Sequence, residues 1–251
     1  IPLNDFKSLD DVFDRVGDDI AAILIEPIMG NCGSISSTQA YMQKLRDVCD
    51  KNGSLLIMDE VKTGFRVAKG GVQELYGIKA DLTTYAKAMG NGYPVAAFGG
   101  RADVMNMINF GPDGVTHGGT YTANMIALSA AKATLSILKD TDALKTIDQV
   151  GADIQSVLAK VFTKFDIKHR FAGPNAMFGV HFGDEVPHNY RDWKKTNSDL
   201  YTTFAHNLIK NGVMLEPDSR EPWFICEAHK NVDLEWLENV ATQSMQDALN
   251  P

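Results

Sequence analysis

The sequence predicts an α/β fold, with a mostly parallel sheet in a large first part and a smaller α+β part at the C-terminus. Two observations predict the sheet. The apolar runs IAAILIE at 20–26 and SLLIMDE at 54–60 are typical of strands in a parallel sheet, and helical patterns alternate with the strand patterns. After Asp140 the helix and strand patterns no longer alternate regularly, which predicts the smaller α+β part. We therefore expect two domains, 1–138 and 139–251.

In the first part, helix patterns alternate with strand patterns. Residues 8–16 predict a short helix, and the continuous apolar run at 20–26 predicts a strand buried on both faces. Ser37 or Thr38 can cap the next helix, which should stop at Asn52 before Gly53. Beyond the strand at 54–60, the pattern predicts a helix at 70–77, strands at 80–86 and 93–100, and one long helix from Tyr121 to Leu138.

The second part carries a different pattern. The predicted elements are a helix near 145–164, strands at 168–172 and 176–182, a helix near 199–211, strands at 213–217 and 223–227, and a final helix from about residue 233.

The composition favours some classes of protein function over others. The 251 residues carry 32 acidic and 24 basic side chains, a net charge of −8, without a basic stretch that would favour nucleic acid or an anionic membrane. The apolar runs are far shorter than the roughly 20 residues of a membrane helix. Cys32, Cys49 and Cys226 are widely spaced, as expected where thiols stay reduced. We expect a cytoplasmic protein that acts on a small metabolite.

Two residues point to a specific chemistry. Asp59 ends the second apolar run, and Lys87 follows the strand-like DLTTYA, 87 − 59 = 28 residues later. A lysine can hold the aldehyde of pyridoxal phosphate as an imine, and a buried carboxylate can keep the pyridine nitrogen protonated. Lys87 alone is only a candidate, because most lysines are solvated surface groups.

Asp59 has simpler interpretations. A buried carboxylate needs a partner, and an ion pair with Lys62 or Arg66, or a capping role, would satisfy it as well as a pyridinium nitrogen would. Glu60 is a second candidate for the important acid, since adjacent strand residues point to opposite faces.

Other motifs are weaker. Gly90-Asn91-Gly92 lacks the third glycine of a dinucleotide fingerprint, so a turn before a strand explains it better. The segment Gly118-Gly119-Thr120 can offer backbone N–H groups and a hydroxyl to a phosphate, but such a sequence is more often just a turn. The six histidines show no metal-ligand spacing, so we expect no metal site.

Four segments together resemble a known family: IEPIMGNCG, LLIMDEVKTGFR, DLTTYAKAMGNGYPVAAFGG and HGGTYTANMIALSAA. In this order they resemble the class III pyridoxal-phosphate-dependent aminotransferases, above all the branch containing glutamate-1-semialdehyde 2,1-aminomutase. The resemblance is strongest over 20–138. It implies the aspartate-aminotransferase-like fold type I, pyridoxal 5'-phosphate as cofactor, and a homodimer with a shared active site.

The resemblance also implies roles for single residues. Lys87 matches the Schiff-base lysine, which would act as general base and acid at the substrate carbon. Asp59 matches the acid on the pyridine nitrogen, Val61 the apolar residue against the ring, and Asn31 the hydrogen-bond donor to the ring oxygen.

Further matches concern the phosphate and the substrate. Gly119 and Thr120 match the segment that reaches the cofactor phosphate of the neighbouring subunit. Glu221 resembles an acidic residue near the substrate gate of the aminomutase branch. The family's phosphate-binding loop, the aromatic residue stacked on the cofactor and most substrate contacts would lie upstream of Ile1.

Departures from the family pattern concern the substrate. The segment after Lys87 is GNGYPVAAFGG where the aminomutases usually have GGGLPVGAYGG, and Met125 stands where proline often follows the asparagine. We expect an aminotransferase. An aminomutase, an ammonia lyase and a non-catalytic homologue or fragment remain alternatives, and the broken glycine fingerprint disfavours a nicotinamide-dependent dehydrogenase.

Overall fold

The computed structural model describes residues 1–250, and their contacts divide into two compact units. We call Phe6–Pro27 together with Thr38–Thr141 the sheet unit. Residues 1–5, 28–37 and those from Asp142 onward form the C-terminal unit. The two domains expected at 1–138 and 139–251 stay a prediction.

The helices and strands are numbered along the chain. The helices are α1 Phe6–Val16, α2 Gln39–Asn52, α3 Gly71–Tyr76, α4 Ala102–Met105, α5 Met125–Asp140, α6 Ala143–Lys164, α7 Tyr190–Trp193, α8 Ser198–Lys210 and α9 Leu234–Leu249. The strands are β1 Ala22–Ile25, β2 Ile28–Met29, β3 Ile35–Ser36, β4 Leu55–Asp59, β5 Leu82–Tyr85, β6 Ala97–Gly100, β7 His169–Ala172, β8 Met177–Phe182 and β9 Trp223–Phe224.

The sheet unit is built around four strands in the order β1-β4-β5-β6. The first three are parallel and β6 is antiparallel to β5, which agrees with the predicted mostly parallel sheet. Asp59 at the end of β4 pairs in register with Thr84 in β5. Because the strands are parallel, the residues that follow β4 and β5 leave the sheet at the same edge.

Local chemistry explains the ends of α2. The Thr38 hydroxyl accepts a hydrogen bond from the Tyr41 N–H group at 3.1 Å, which satisfies one of the free donors at the helix start. Gly53 adopts the left-handed conformation with φ 71°, which ends the helix. Met42 and Leu45 on this helix are buried, as are Leu56 and Met58 on β4. Both predicted capping sites, at Thr38 and Gly53, are confirmed.

The C-terminal unit has its own sheet, ordered β7-β8-β9, and all its pairs are antiparallel. All six residues of β8 are buried, and α8 and α9 pack against each other. The core is rich in aromatic side chains, including Phe162, Phe178, Phe182, Tyr201 and Phe204. A short antiparallel pair, β2 with β3, which the sequence pattern did not indicate, also belongs to this unit.

Three predictions about single elements are wrong. Residues 213–217 form no strand, because no neighbouring strand pairs with them among the described residues. The long helix begins at Met125 rather than Tyr121, because the Asn124 side chain caps it by accepting from the N–H groups of Ile126 and Ala127. The strand β1 is not buried on both faces, since Leu24 is 69% exposed.

None of the helices in residues 1–250 combines the length and the apolar character needed to cross a bilayer.

Candidate active site

Asp59 and Lys87 lie beyond neighbouring strands at one edge of the sheet. Thr84, the register partner of Asp59, is three residues before Lys87, so the Cα atoms of Thr84 and Lys87 are within about 11 Å of each other. Lys87 is exposed and opens a short 3₁₀ helix, Lys87–Met89. The strand pairing therefore brings the amine and the carboxylate to the same region of the sheet unit.

The Asp59 carboxylate has one occupied and one open oxygen. Its Oδ1 atom accepts hydrogen bonds from the Val61 N–H group at 2.9 Å and from the Thr84 hydroxyl at 3.1 Å. Its Oδ2 atom accepts no hydrogen bond from residues 1–250, and neither Lys62 nor Arg66 forms an ion pair with it there. A half-buried carboxylate with one fixed and one open oxygen fits a cationic ring nitrogen.

Glu60, the alternative acid, is engaged elsewhere. Its buried carboxylate accepts hydrogen bonds from the Thr63 hydroxyl at 2.7 Å and from the N–H groups of Val72 and Gln73 at 2.9 and 3.1 Å. It thus satisfies the free N–H groups at the start of α3. Gly71 permits this approach, because a Cβ atom there would lie 2.2 Å from the Glu60 Oε2 atom.

The backbone at Lys87 is strained. Lys87 has φ 44°, in the left-handed region that residues other than glycine seldom adopt. Such conformations cost on the order of 1–3 kcal/mol and concentrate at functional sites. The conformation turns the chain directly after β5, where open α/β sheets place their ligands.

The candidate phosphate segment lies on the surface. Residues 115–126 are all exposed, including Gly119 and Thr120. The segment ends in a turn in which the Thr122 N–H group donates to the Gly119 carbonyl at 3.0 Å and Ala123 has φ 59°. Among the described residues, no hydrogen bond links Gly119 or Thr120 to Asp59 or Lys87.

Asn31 and Glu221 belong to the C-terminal unit and line one cavity there. Its volume is about 900 Å³, and Asp218, Arg220 and Trp223 also line it. Both Asn31 and Glu221 lie in turns, the first between β2 and β3 and the second just before β9. The structure thus brings together two residues that are 190 positions apart in the sequence, 221 − 31.

Thr84 is a candidate site residue that the sequence analysis missed. A single threonine in a strand is unremarkable, and only the parallel register of β4 and β5 places its hydroxyl on Asp59. A signal was nonetheless present, since the strand patterns at 54–60 and 80–86 both contain polar residues near their C-terminal ends, which parallel pairing would align.

Comparisons with known proteins find relatives that are similar in sequence and in fold. A glutamate-1-semialdehyde 2,1-aminomutase from Methanothermobacter thermautotrophicus is 36% identical over 236 residues, which are 94% of this chain and 56% of that protein. The crystal structure of an omega-transaminase from Sphaerobacter thermophilus is similar with a TM-score of 0.89 and 25% identity, over 99% of this chain and 57% of that one.

A second solved structure, a beta-phenylalanine aminotransferase from Variovorax paradoxus, has a TM-score of 0.85 and 28% identity, and covers 97% of this chain and 56% of its own. The chain therefore spans little more than half the length of the relatives it matches. The predicted fold of the pyridoxal-phosphate-dependent transferases is confirmed. The sequence model of the family described as Aminotransferase class-III matches residues 3–239. The chain belongs to the class III aminotransferase family.

Proposed function

We propose that this chain supplies the lysine and the acid of a pyridoxal-phosphate site and acts in amino-group transfer. One observation carries the proposal. Asp59 and Lys87 leave neighbouring parallel strands at one sheet edge, and the Asp59 carboxylate keeps one oxygen open. The open oxygen would face the protonated ring nitrogen, and the exposed Lys87 amine would hold the aldehyde end.

Each residue has a defined task in this proposal. Bound pyridoxal phosphate supplies an electron sink that acidifies the C–H bond beside the substrate nitrogen. Lys87 Nζ removes that proton and returns it, as general base and then general acid. Asp59 keeps the ring nitrogen charged, and Thr84 and the Val61 N–H group hold the carboxylate in place. The Val61 side chain would pack against the ring.

Three further residues would hold the cofactor, and one would face the substrate. Gly119 and Thr120 offer a backbone N–H group and a hydroxyl to a phosphate, and their exposure leaves both available. Asn31 would donate to the ring oxygen. Glu221 shares its cavity with Asn31, which supports a place for Glu221 beside the substrate.

The decisive experiment is reductive labelling. The chain is incubated with pyridoxal phosphate, reduced with borohydride, digested and analysed by mass spectrometry. We expect the label on Lys87 and its loss in Lys87→Ala, while Lys79→Ala, which changes an exposed lysine of the same unit, keeps it. A Lys87→Ala variant that is labelled as strongly as the wild type would refute the assignment.

An aminomutase is the second candidate, because a 36% identical relative carries that name. In that reaction the amino group returns to the neighbouring carbon of the same molecule, so no external amino acceptor is consumed. Product analysis separates the two. Turnover that requires a keto acceptor supports a transaminase, turnover without one supports an aminomutase, and released ammonia supports a lyase.

A non-catalytic role is a third candidate, since the chain spans 56% of that relative. A chain that folds but shows no absorbance of bound cofactor at millimolar pyridoxal phosphate would support it.

The proposal includes a homodimer in the cytoplasm. Large apolar side chains in and beside the Gly119-Thr120 segment are exposed, including Phe110, Tyr121, Met125 and Ile126. Several large apolar side chains exposed within one stretch of chain support a protein interface there. The three cysteines are free thiols, which fits a reducing compartment.

A further inference from the structure

The turn that carries Asn31 is hydrogen-bonded to the rest of the C-terminal unit through two neighbouring residues, Gly33 and Ser34. This turn, residues 30–34, connects β2 to β3, and Gly33 and Ser34 both adopt positive φ angles, 59° and 60°. The Gly33 N–H group donates to the Arg220 carbonyl at 2.6 Å. The Gly33 carbonyl accepts from the imidazole Nε2 of His181 in β8 at 2.8 Å.

No larger residue fits this position. A Cβ atom on Gly33 would lie 2.2 Å from the His181 Cε1 atom, and one on Gly179 would lie 1.9 Å from the Gly33 carbonyl oxygen. The Ser34 hydroxyl adds a third attachment by donating to the Met177 carbonyl. The turn therefore rests directly on the backbone of β8.

Gly33 also contacts the turn that carries Glu221. Arg220, whose carbonyl Gly33 binds, directly precedes Glu221, and the Glu221 N–H group donates to the Asp218 carbonyl at 3.0 Å. A short path therefore connects Asn31 to Glu221. It runs along the backbone from Asn31 to Gly33, across the hydrogen bond to Arg220, and on to Glu221. Both residues line the same cavity.

His181 is suited to hold this connection. The ring is 1% exposed, and its Nδ1 atom has no hydrogen-bond partner among residues 1–250. Burial lowers the pKa of His181 and outweighs the opposing effect of the hydrogen bond to Gly33. The imidazole is therefore neutral, and because Gly33 offers an acceptor, Nε2 carries the proton.

We propose that Gly33 fixes the position of Asn31 relative to Glu221, and that His181 is a positioning residue that holds Gly33 in place. The inference rests on the proposed cofactor contact of Asn31. His181 touches neither cofactor nor substrate in this proposal and acts through the turn. Without its N–H group, the buried Gly33 carbonyl would lose its partner and the turn would shift.

The first test needs no cofactor. Nitrogen-15 NMR of the chain should show His181 as a neutral ring with a slowly exchanging Nε2 proton at pH 7. His181→Phe removes the hydrogen bond at the Gly33 carbonyl, so the turn should open more readily. The Gly33 amide, which donates to the Arg220 carbonyl, should then exchange with solvent about tenfold faster. An Nδ1-protonated ring, or unchanged exchange at Gly33, would overturn the proposal.

The second test measures the affinity for pyridoxal phosphate by absorbance titration. His181→Phe should weaken binding about tenfold. His181→Gln keeps a side-chain N–H donor and should restore most of the affinity. His206→Phe changes an exposed histidine of α8 and should have no effect. Because His181 acts through Asn31, the double variant Asn31→Ala/His181→Phe should bind no more weakly than Asn31→Ala. Losses that multiply would contradict the proposal.

A failure of the proposed function can be distinguished from a failure of the role proposed for His181. Loss of labelling specificity at Lys87 would refute the proposed function while the NMR results stand. A normal affinity of Asn31→Ala would instead overturn the contact of Asn31 and the action of His181 through it.

Discussion

The orientation of the Asp59 carboxylate depends on two hydrogen-bond donors, the Val61 N–H group and the Thr84 hydroxyl. An asparagine has nearly the same shape but cannot hold a ring nitrogen in its protonated form. We expect Asp59→Asn to weaken cofactor binding and to lower turnover on the order of a hundredfold. Steady-state kinetics and cofactor absorbance measure the two effects. Asp113→Asn, at an exposed loop position of the same unit, is the matched control and should behave as the wild type.

Thr84 offers a finer test of the same site. Thr84→Val keeps the side-chain shape but removes the hydroxyl that donates to Asp59 Oδ1 at 3.1 Å. One hydrogen bond to a charged group is lost, so we expect about tenfold lower turnover. The absorbance of the bound cofactor should also shift, because the ring nitrogen loses a well-oriented partner.

Two controls accompany Thr84→Val. Thr84→Ser restores the hydroxyl and should recover activity. Thr83→Val changes the neighbouring threonine, whose hydroxyl accepts from Gln73 Nε2 at 3.0 Å instead, and should leave turnover nearly unchanged. Equal losses in Thr83→Val and Thr84→Val would show that the effect is general damage to β5.

At the scale of elements, a single carboxylate ties α2 to the sheet. Asp81, just before β5, accepts hydrogen bonds from the Leu56 N–H group of β4 at 2.7 Å, from Arg46 of α2 at 2.8 Å and from Arg101 at 2.9 Å. Burial opposes its ionisation, but these three donors outweigh that effect and hold the pKa of Asp81 below its ordinary value. One ionised group thus links α2, β4 and the residues that directly precede β5 and α4.

We expect Asp81→Asn to lower the free energy of unfolding by roughly 2 kcal/mol, because hydrogen bonds to a charged acceptor are lost and the largely buried Arg46 keeps only its pair with the more exposed Asp50. Urea denaturation measures this difference. Asp103→Asn also removes a partner of Arg101, but that pair is exposed, so its cost should stay below about 1 kcal/mol. Similar costs for both variants would rule out a special role for Asp81.

The contribution of Asp81 also depends on pH. Its folded-state pKa is depressed, so the unfolded chain takes up the proton first as the pH falls. The stability advantage over Asp81→Asn should be complete above the ordinary pKa of 3.8 and should decline as the pH falls below it. An advantage that disappears near neutral pH would contradict this assignment.

At the scale of the whole molecule, the exposed apolar side chains of the sheet unit are the main feature. Tyr121 and Ile126 are 83% and 68% exposed and flank the start of α5. We expect Ile126→Asp to raise the dissociation constant of the proposed homodimer at least tenfold, since a charge placed in an apolar interface is costly. Sedimentation velocity at several protein concentrations measures this change.

Met214 supplies the matched control for that experiment. It is 99% exposed but belongs to the C-terminal unit. Met214→Asp should leave the association unchanged. If the two variants dissociate to the same extent, or the wild type is a monomer, the proposed interface is wrong.

Local signals in the sequence were sufficient for most of the regular elements. Apolar periodicity predicted β4 and β5, and the cap residues Thr38 and Gly53 predicted the ends of α2, because these signals act within a few residues of the chain. Four short segments were sufficient for the family, which the matching family model confirms. The strand expected at 213–217 failed because a strand also needs a pairing partner, which periodicity does not encode.

Short local patterns in the sequence were enough to predict the fold class, the family and the candidates Asp59 and Lys87. The folded chain was needed to show which Asp59 oxygen is open, that Glu60 caps α3, and that His181 forms a hydrogen bond with Gly33. The reason is distance along the chain. Thr84 and Asp59 are 25 residues apart and His181 and Gly33 are 148 apart, and only folding brings such groups within a hydrogen bond.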